Sequence, residues 1–252
     1  MIAHANDWIV PDWPVSPRIA ALVTTRNGGV SEGRYASLNL SAASTARASG
    51  DRIDAVTENR ARVRGYLPSE ALWLTQVHGA TVHMAEESAP AAPPVADAAM
   101  TRFPAVVLAV QSADCLPVLL ADREGTAIAI AHAGWRGLAA GVVDNAVRAL
   151  GIPPTRVVAW LGPAIGPDAF EVGVDVRDAF VTGDADAASA FRPKASGKWW
   201  ADLYALARRR LARCGVHDVH GGGLCTFSEP ERFFSYRRDG ETGRMAALLW
   251  LR

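Results

Sequence analysis

The stretch AVVLAVQSADCLPVLLADREGTAIAIAHAGWRG (105–137) decides the fold. It contains three short apolar runs, at 105–110, 116–122 and 126–133, which polar and turn-forming residues separate. Continuous apolar runs of this length are typical of strands that are covered on both faces, whereas half-exposed strands alternate between apolar and polar residues. We therefore expect three such strands here.

The remainder of the chain mixes strand and helix patterns. Apolar runs predict further strands at 19–25, 71–77, 80–84, 156–162 and 245–251. Apolar residues at helical spacing predict helices at 53–66, 137–150 and 201–215. The Pro/Ala-rich segment SAPAAPPVADAA (88–99) is typical of a surface connection. Because no shift in composition divides the chain, we expect one domain over residues 1–252, an α/β or α+β sandwich.

Composition and charge exclude several classes of function. The chain has 252 residues, with 26 basic and 26 acidic side chains and no long block of like charge. A surface for nucleic acid or anionic lipid is therefore not expected. The start lacks the pattern of a secretory signal, and polar residues interrupt the longest apolar stretch, so no membrane span is expected. Three cysteines, an odd and small number, favour a reducing, cytoplasmic setting.

Three residues at the edges of apolar runs form a candidate metal site. His78 lies in TQVHGATVH, Cys115 in QSADCLPVLLAD and His132 in AHAGWRG. One thiol and two imidazoles suit Zn²⁺ or copper, and three protein ligands leave a fourth position open for catalysis. Each residue alone also fits an ordinary core position, and spacings of 37 and 17 residues match no standard zinc motif. His83 is a competing ligand, and Cys214 and Cys225 are alternative thiols.

The turn after His132 is a candidate anion site. Arg136 lies between two glycines at the expected start of the 137–150 helix, where free N–H groups and the helix dipole favour an anion. We therefore predict that Arg136 holds a phosphate or a carboxylate. The alternative is a surface arginine paired with a carboxylate such as Asp144.

Several long segments together resemble one family. They are TTRNGGVSEGRYASLNL (24–40), TQVHGATV (75–82), ADAAMTRFPAVVLAVQSADCLPVLLAD (96–122), AIAHAGWRG (129–137), LGPAIGPDAFEVG (161–173) and FFSYRRDGETGRMAALLWL (233–251). In this order they are similar to the YfiH family, the laccase-domain or polyphenol oxidase-like proteins. Members of that family are described as purine nucleoside phosphorylases with adenosine deaminase activity.

The resemblance implies a fold, a metal site and an activity. The fold is a single α/β domain, a mixed-sheet sandwich with flanking helices related to Cys/His hydrolases. The implied ligands of a catalytic Zn²⁺ are His78, Cys115 and His132. The implied reactions are phosphorolysis of adenosine, inosine and S-methyl-5′-thioadenosine, and deamination of adenosine. Arg136 is the candidate to bind phosphate, with Arg26 and Arg60 as further cations. The protein is expected to be a monomer or a small homo-oligomer.

One segment departs from the family pattern, and the residues alone leave other functions open. After SLNL, where family members often carry a histidine, this chain has SAASTARASGD (41–51). The same Cys115 and His132 fit a Cys/His hydrolase that cuts an amide, for example in a cell-wall precursor. Copper-dependent phenol oxidation ranks lower, because six histidines are too few for a blue copper and a trinuclear site. A non-enzymatic binding protein is the last alternative.

Overall fold

The structure is a computed structural model that describes residues 6–41 and 50–252. The strands of the described residues are β1 (Ile19–Val23), β2 (Ala71–Trp73), β3 (Val82–Met84), β4 (Ala98–Thr101), β5 (Val107–Ser112), β6 (Leu116–Asp122), β7 (Ile128–Ala133), β8 (Val157–Leu161), β9 (Glu171–Val172), β10 (Phe191–Lys194), β11 (Lys198–Ala201), β12 (Asp218–Gly221) and β13 (Met245–Leu251). The α-helices of the same residues are α1 (Ile53–Arg64), α2 (Trp135–Ala139), α3 (Val142–Leu150), α4 (Val174–Val181), α5 (Leu203–Arg213) and α6 (Tyr236–Asp239).

The strands form three mixed or antiparallel sheets. A four-stranded sheet has the order β1-β13-β5-β2, and a six-stranded sheet has the order β12-β8-β6-β7-β4-β3. A small third sheet has the order β10-β11-β9. The apolar stretch of 105–137 supplies β5 to one large sheet and β6 and β7 to the other, so it connects the two.

The two large sheets pack face to face. Leu108 and Leu249 of the four-stranded sheet belong to the same apolar core as Leu119 and Ile130 of the six-stranded sheet. All four side chains are fully buried. Such packing of two sheets through their inner faces defines a β-sandwich, in agreement with the predicted fold class.

Helices cover both outer faces of this sandwich. Val63 of α1 packs with Leu248 on the outer face of the four-stranded sheet. Leu150 of α3 and Leu211 of α5 pack with Leu120 on the outer face of the six-stranded sheet. The order of layers is therefore α–β–β–α, which explains why the strands read as continuously apolar: each central strand is buried on both faces.

The predicted helix at 137–150 is wrong as a single element. The chain forms two helices, α2 and α3, with Gly141 between them in the left-handed region (φ +89°). A glycine adopts this conformation without steric cost, so the apolar periodicity continues while the backbone changes direction. The helix that contains Arg136 consequently has only five residues, and its dipole is weaker than that of the predicted 14-residue helix.

The predicted surface connection at 88–99 is also wrong at its end. Its first part is exposed, but Asp97, Ala98 and Ala99 are fully buried, and the last two open β4. Alanine has low strand propensity, so the local pattern gave little sign of this strand. Burial between β3 and β7 determines it instead.

The divergent segment at 41–51 lies mostly outside the described residues, at 42–49. At its described end, the Asp51 carboxylate accepts hydrogen bonds from the Ser31 hydroxyl (2.6 Å) and from the Asn39 amide (2.9 Å). The Gly50 N–H donates to Glu241 (3.1 Å).

Among the residues that the structure describes, no helix combines the length and apolar character needed to cross a bilayer.

Candidate metal centre

The pairing of β6 with β7 places Cys115 beside His132. Cys115 directly precedes β6, and His132 is the second-last residue of β7. Pro117 lies opposite His132 in this antiparallel pair. Because side chains alternate between the two faces of a strand, His132 shares the inner face with Ile130, and Cys115 shares it with Pro117. Both candidate ligands thus occupy one end of the space between the two large sheets.

His78 reaches the same place from a turn between the sheets. It lies between β2 of the four-stranded sheet and β3 of the six-stranded sheet, in left-handed backbone geometry (φ 60°). This conformation is uncommon for a residue other than glycine and persists only where the surroundings impose it. Three consecutive N–H groups impose it here, because Val77, His78 and Gly79 all donate to the Asp97 carboxylate, at 3.0, 2.9 and 2.7 Å.

The three side chains have the geometry of a metal site. Their ligand atoms all lie within 4.8 Å of one another, and Cys115 Sγ is 3.8 Å from His78 Nε2. A tetrahedral zinc ion would place a sulfur and a nitrogen ligand about 3.6 Å apart, and two nitrogens about 3.3 Å apart. The two imidazoles stand edge to face, with centroids 4.9 Å apart. Closing on an ion therefore shortens these distances by at most about 1.5 Å.

The three candidate ligands differ in how deeply they are buried. His132 is 3% exposed, Cys115 is partly buried and His78 is exposed. The open side of the triad therefore faces solvent at His78. A fourth ligand, whether water or substrate, has access from that side, as a catalytic site requires.

Asp97 orients the site, although its sequence pattern did not single it out as a site residue. Its carboxylate lies 2.9 Å from His132 Nδ1 while it also accepts the three N–H groups of the His78 turn. Accepting a hydrogen bond from the Nδ1–H group fixes the tautomer that presents Nε2 as a ligand. The available signal was a single acidic residue between alanines in ADAAM (96–100), where an unpaired buried carboxylate would be costly.

Without a metal, Cys115 and His132 form a charged pair. Burial by itself raises the pKa of the Cys115 thiol, but the neighbouring His132 and His78 lower it to about 6. Burial likewise disfavours the His132 imidazolium, but the Cys115 charge and Asp97 raise the pKa of His132 to about 9. The thiol is therefore already a thiolate at neutral pH, the form that binds metals and attacks carbonyls.

Gly134 leaves room for two of the ligands. A Cβ atom at this position would lie 2.8 Å from Cys115 Sγ and 3.1 Å from His78 Cδ2. An alanine here would therefore push the Cys115 and His78 side chains away from their positions in the site.

The structure places Arg136 in solvent on α2, the helix that follows the strand carrying His132. Its guanidinium stacks on the Trp135 ring, 4.2 Å from the centroid, and it forms no ion pair with any described carboxylate. Asp144, its expected partner if Arg136 were only a surface residue, lies near Arg210 instead (3.4 Å).

The other two predicted cations bind backbone carbonyls. Arg26 donates from Nε to Ala36 O (2.9 Å) and from Nη1 to Pro230 O (2.8 Å). Arg60 donates from Nε and Nη2 to Leu40 O, at 3.2 and 2.9 Å, and burial lowers its pKa to about 10. Both side chains thus hold backbone segments in place, and no described contact joins them to the triad.

The competing ligands lie elsewhere. In the described part of the chain, the metal-like cluster of His and Cys residues contains neither His83 nor Cys214 nor Cys225. Cys225 Sγ instead accepts N–H groups of Gly166 (3.2 Å) and Ser228 (3.4 Å).

Known proteins are similar to this chain over almost its full length. A family model described as multi-copper polyphenol oxidoreductase laccase matches residues 20–252. A Pseudomonas aeruginosa protein named purine nucleoside phosphorylase is 52% identical over 251 residues, covering 98% of this chain and 99% of that protein. The Escherichia coli protein named purine nucleoside phosphorylase YfiH is 51% identical over 245 residues, covering 96% and 98%.

Solved structures agree with the fold. A crystal structure of a Neisseria meningitidis protein superposes with a TM-score of 0.91 at 51% identity, covering 98% of this chain and 99% of that chain. YlmD from Geobacillus stearothermophilus superposes with a TM-score of 0.88 at 30% identity, covering 99% and 97%. The similarity therefore extends over almost the entire chain.

Proposed function

This chain belongs to the family described as multi-copper polyphenol oxidoreductase laccase, and we propose that it is a zinc-dependent purine nucleoside enzyme. Its reactions are phosphorolysis of adenosine, inosine and S-methyl-5′-thioadenosine, with deamination of adenosine as a second activity. The names of relatives about 50% identical over nearly the full length support the first reaction. The observation that carries the proposal is the His78–Cys115–His132 geometry within such a chain.

The donor set fits zinc better than copper in an oxidase. One thiolate and two imidazoles at near-tetrahedral spacing match a three-ligand catalytic zinc site. Multicopper oxidases need many more histidines than this chain's six. When bound, zinc would supply Lewis acidity and a water of lowered pKa. Asp97 would keep His132 in the ligand tautomer, and the turn at 77–79 would keep His78 in reach.

In phosphorolysis, an oxygen of HPO₄²⁻ forms a bond to C1′ of the ribose while the C1′–N9 bond breaks. The electron pair of that bond leaves with the purine, and the proton released by the phosphate ends on the base. Adenosine thus gives adenine and ribose 1-phosphate. Arg136, Arg26 and Arg60 are the cations that we propose to attract the incoming phosphate. In deamination, water adds at C6 and ammonia leaves, so adenosine gives inosine.

Product analysis tests this proposal. Purified zinc-loaded protein is incubated with each of the three nucleosides, with and without phosphate, and the products are separated by chromatography. We expect free base and pentose 1-phosphate with phosphate, and some inosine from adenosine without it. Cys115→Ala should abolish both activities, whereas Cys214→Ala, at a thiol outside the triad, should retain them. Absence of both products from the wild-type protein contradicts the proposal.

A Cys/His hydrolase is the second candidate, because one specific observation favours it. Cys115, His132 and Asp97 have the order of a nucleophile, a base and an orienting carboxylate, and the thiol pKa is lowered to about 6. In that reaction the Cys115 thiolate would bond to an amide carbonyl carbon, and the C–N bond would break as His132 protonates the leaving amine. Water would then cleave the thioester, which releases the carboxylic acid and restores Cys115. Hydrolysis of an amide by the metal-free protein, with inhibition by zinc, would support the hydrolase.

The three cysteines are free thiols, which suits a cytoplasmic setting for either enzyme.

A further inference from the structure

Arg244 lies at the end of the sandwich that holds the metal centre. It directly precedes β13, whose first residue, Met245, pairs with Ser112 at the end of β5. From Ser112 the chain continues within three residues to Cys115. The backbone of Arg244 is fixed on both sides, because its N–H donates to Asn39 Oδ1 (3.0 Å) and its carbonyl accepts from Leu40 (3.0 Å).

The guanidinium of Arg244 is partly buried and forms no ion pair with a carboxylate of the described residues. Its Nη1 donates to the carbonyls of Thr242 (2.8 Å) and Gly243 (3.0 Å), which carry no net charge. No described residue accepts from its Nε or Nη2. Burial lowers the pKa of Arg244, and the opposing negative charges are those of Cys115 first and then Asp114.

The nearby carboxylate is already engaged. Asp114 accepts the Thr226 hydroxyl at Oδ1 (2.6 Å) and the Arg237 N–H at Oδ2 (2.7 Å). The Tyr35 hydroxyl is engaged as well, because it donates to Glu241 (2.6 Å). A partly buried cation that forms no direct ion pair with a described carboxylate is costly, and a planar guanidinium with two free parallel N–H groups matches a tetrahedral oxyanion.

We propose that Arg244 binds the inorganic phosphate that attacks the nucleoside, with its Nε and Nη2 on two phosphate oxygens beside the Cys115 side of the metal centre. This assignment rests on the proposed phosphorolysis. A thiolate and two neutral imidazoles around a divalent ion leave a net charge of +1, which adds to the attraction for an anion. Arg136 is solvent-exposed, so its field is more strongly screened than that of Arg244.

Two variants of Arg244 separate charge from geometry. Arg244→Gln retains most of the length and loses the charge, and Arg244→Lys retains the charge and loses the planar fork. Arg18→Gln is the matched control, because Arg18 is an exposed arginine far from the site. Its carbonyl accepts from the Arg252 N–H, just beyond the end of β13 that is opposite to Arg244. The length of β13 places Arg18 roughly 20–25 Å from Arg244. Thermal unfolding and zinc content verify that each variant is folded and loaded.

The first measurement is calorimetric binding of inorganic phosphate to zinc-loaded protein without nucleoside. The second is the phosphate KM in adenosine phosphorolysis, and the third is adenosine deamination without phosphate. We expect Arg244→Gln to weaken phosphate binding and raise the phosphate KM roughly 10- to 150-fold, the loss of one charge-assisted hydrogen bond. Deamination should change less than about twofold, Arg244→Lys should be intermediate, and Arg18→Gln should match wild type.

Three results would each overturn the assignment. The first is an Arg244→Gln protein with unchanged phosphate affinity and phosphate KM, and the second is one that loses deamination activity and zinc content as much as phosphate binding. The third is binding of adenosine 5′-monophosphate, but not of inorganic phosphate, that depends on Arg244. The last result would place a nucleotide phosphate at Arg244. If wild-type protein binds phosphate through Arg244 yet forms no ribose 1-phosphate, the proposed function fails and the anion site stands. If phosphorolysis proceeds with an Arg244-independent phosphate KM, only this assignment fails.

Discussion

Replacing Asp97 with asparagine tests how the candidate metal centre is held. In the wild-type protein, Oδ1 accepts from His132 Nδ1 (2.9 Å) and the His78 N–H (2.9 Å), while Oδ2 accepts from the Val77 and Gly79 N–H groups (3.0 and 2.7 Å). Asparagine has one acceptor oxygen and one donor amide. Either orientation therefore sets an NH₂ group against two donors, and two of the four hydrogen bonds are lost.

The magnitude follows from those two bonds. Hydrogen bonds to a buried charge contribute about 1.5–3 kcal/mol each, so the free energy of unfolding of metal-free protein should fall by about 3–6 kcal/mol. Because Asp97 also sets the His132 tautomer and the His78 turn, zinc affinity should fall about 10- to 100-fold, as for other residues that orient metal ligands.

The assay is equilibrium competition for zinc against a chelator of known affinity, combined with urea unfolding of metal-free protein. Asp122→Asn is the matched control. Asp122 is equally buried in the six-stranded sheet, at the opposite end of β6 from Cys115, and binds Arg156 (2.5 Å). It should lower stability and leave zinc affinity within about twofold. Equal zinc affinities for Asp97→Asn and wild type would falsify the orienting role.

Three further predictions concern the same region. Gly134→Ala should lower zinc affinity at least tenfold with little change in the fold, because its Cβ would overlap Cys115 Sγ and crowd His78; chelator competition measures this. In metal-free protein, the rate of Cys115 alkylation should rise with pH around a midpoint near 6, and zinc should suppress the reaction. Cys214 should react only at higher pH, because burial raises its pKa. Peptide mass spectrometry at each pH measures both reactions. Arg136→Ala should raise the phosphate KM only about two- to fivefold, the effect of one exposed charge, with zinc content unchanged; steady-state kinetics with varied phosphate decides this, and an unchanged KM removes Arg136 from phosphate binding.

The strands and the triad were accessible from sequence because strong local patterns carry them. The run at 116–122 is β6, since a continuously apolar strand covered on both faces leaves a clear signal. His78, Cys115 and His132 stand out as polar or soft residues at the edges of such strands. That they meet within 4.8 Å is a consequence of sheet pairing, which spacing alone does not specify.

The other features depend on tertiary contacts. Gly141 interrupts the 137–150 helix through a left-handed conformation, although the apolar periodicity runs through it. Asp97 and Arg244 look like ordinary charged residues in loops, and only the fold shows that one is fully buried on His132 and that the other has no carboxylate partner among the described residues. Charged groups acquire their roles from burial and partners, which a single sequence does not display.

The central claim is that one zinc ion at His78, Cys115 and His132 supports phosphorolysis of purine nucleosides. The most direct test titrates metal-free protein with zinc and follows ribose 1-phosphate from adenosine and phosphate by ³¹P NMR. We expect the rate to rise in proportion to added zinc and to reach a plateau at one zinc per chain. A rate that is independent of zinc, or no ribose 1-phosphate at one equivalent of bound zinc, would contradict it.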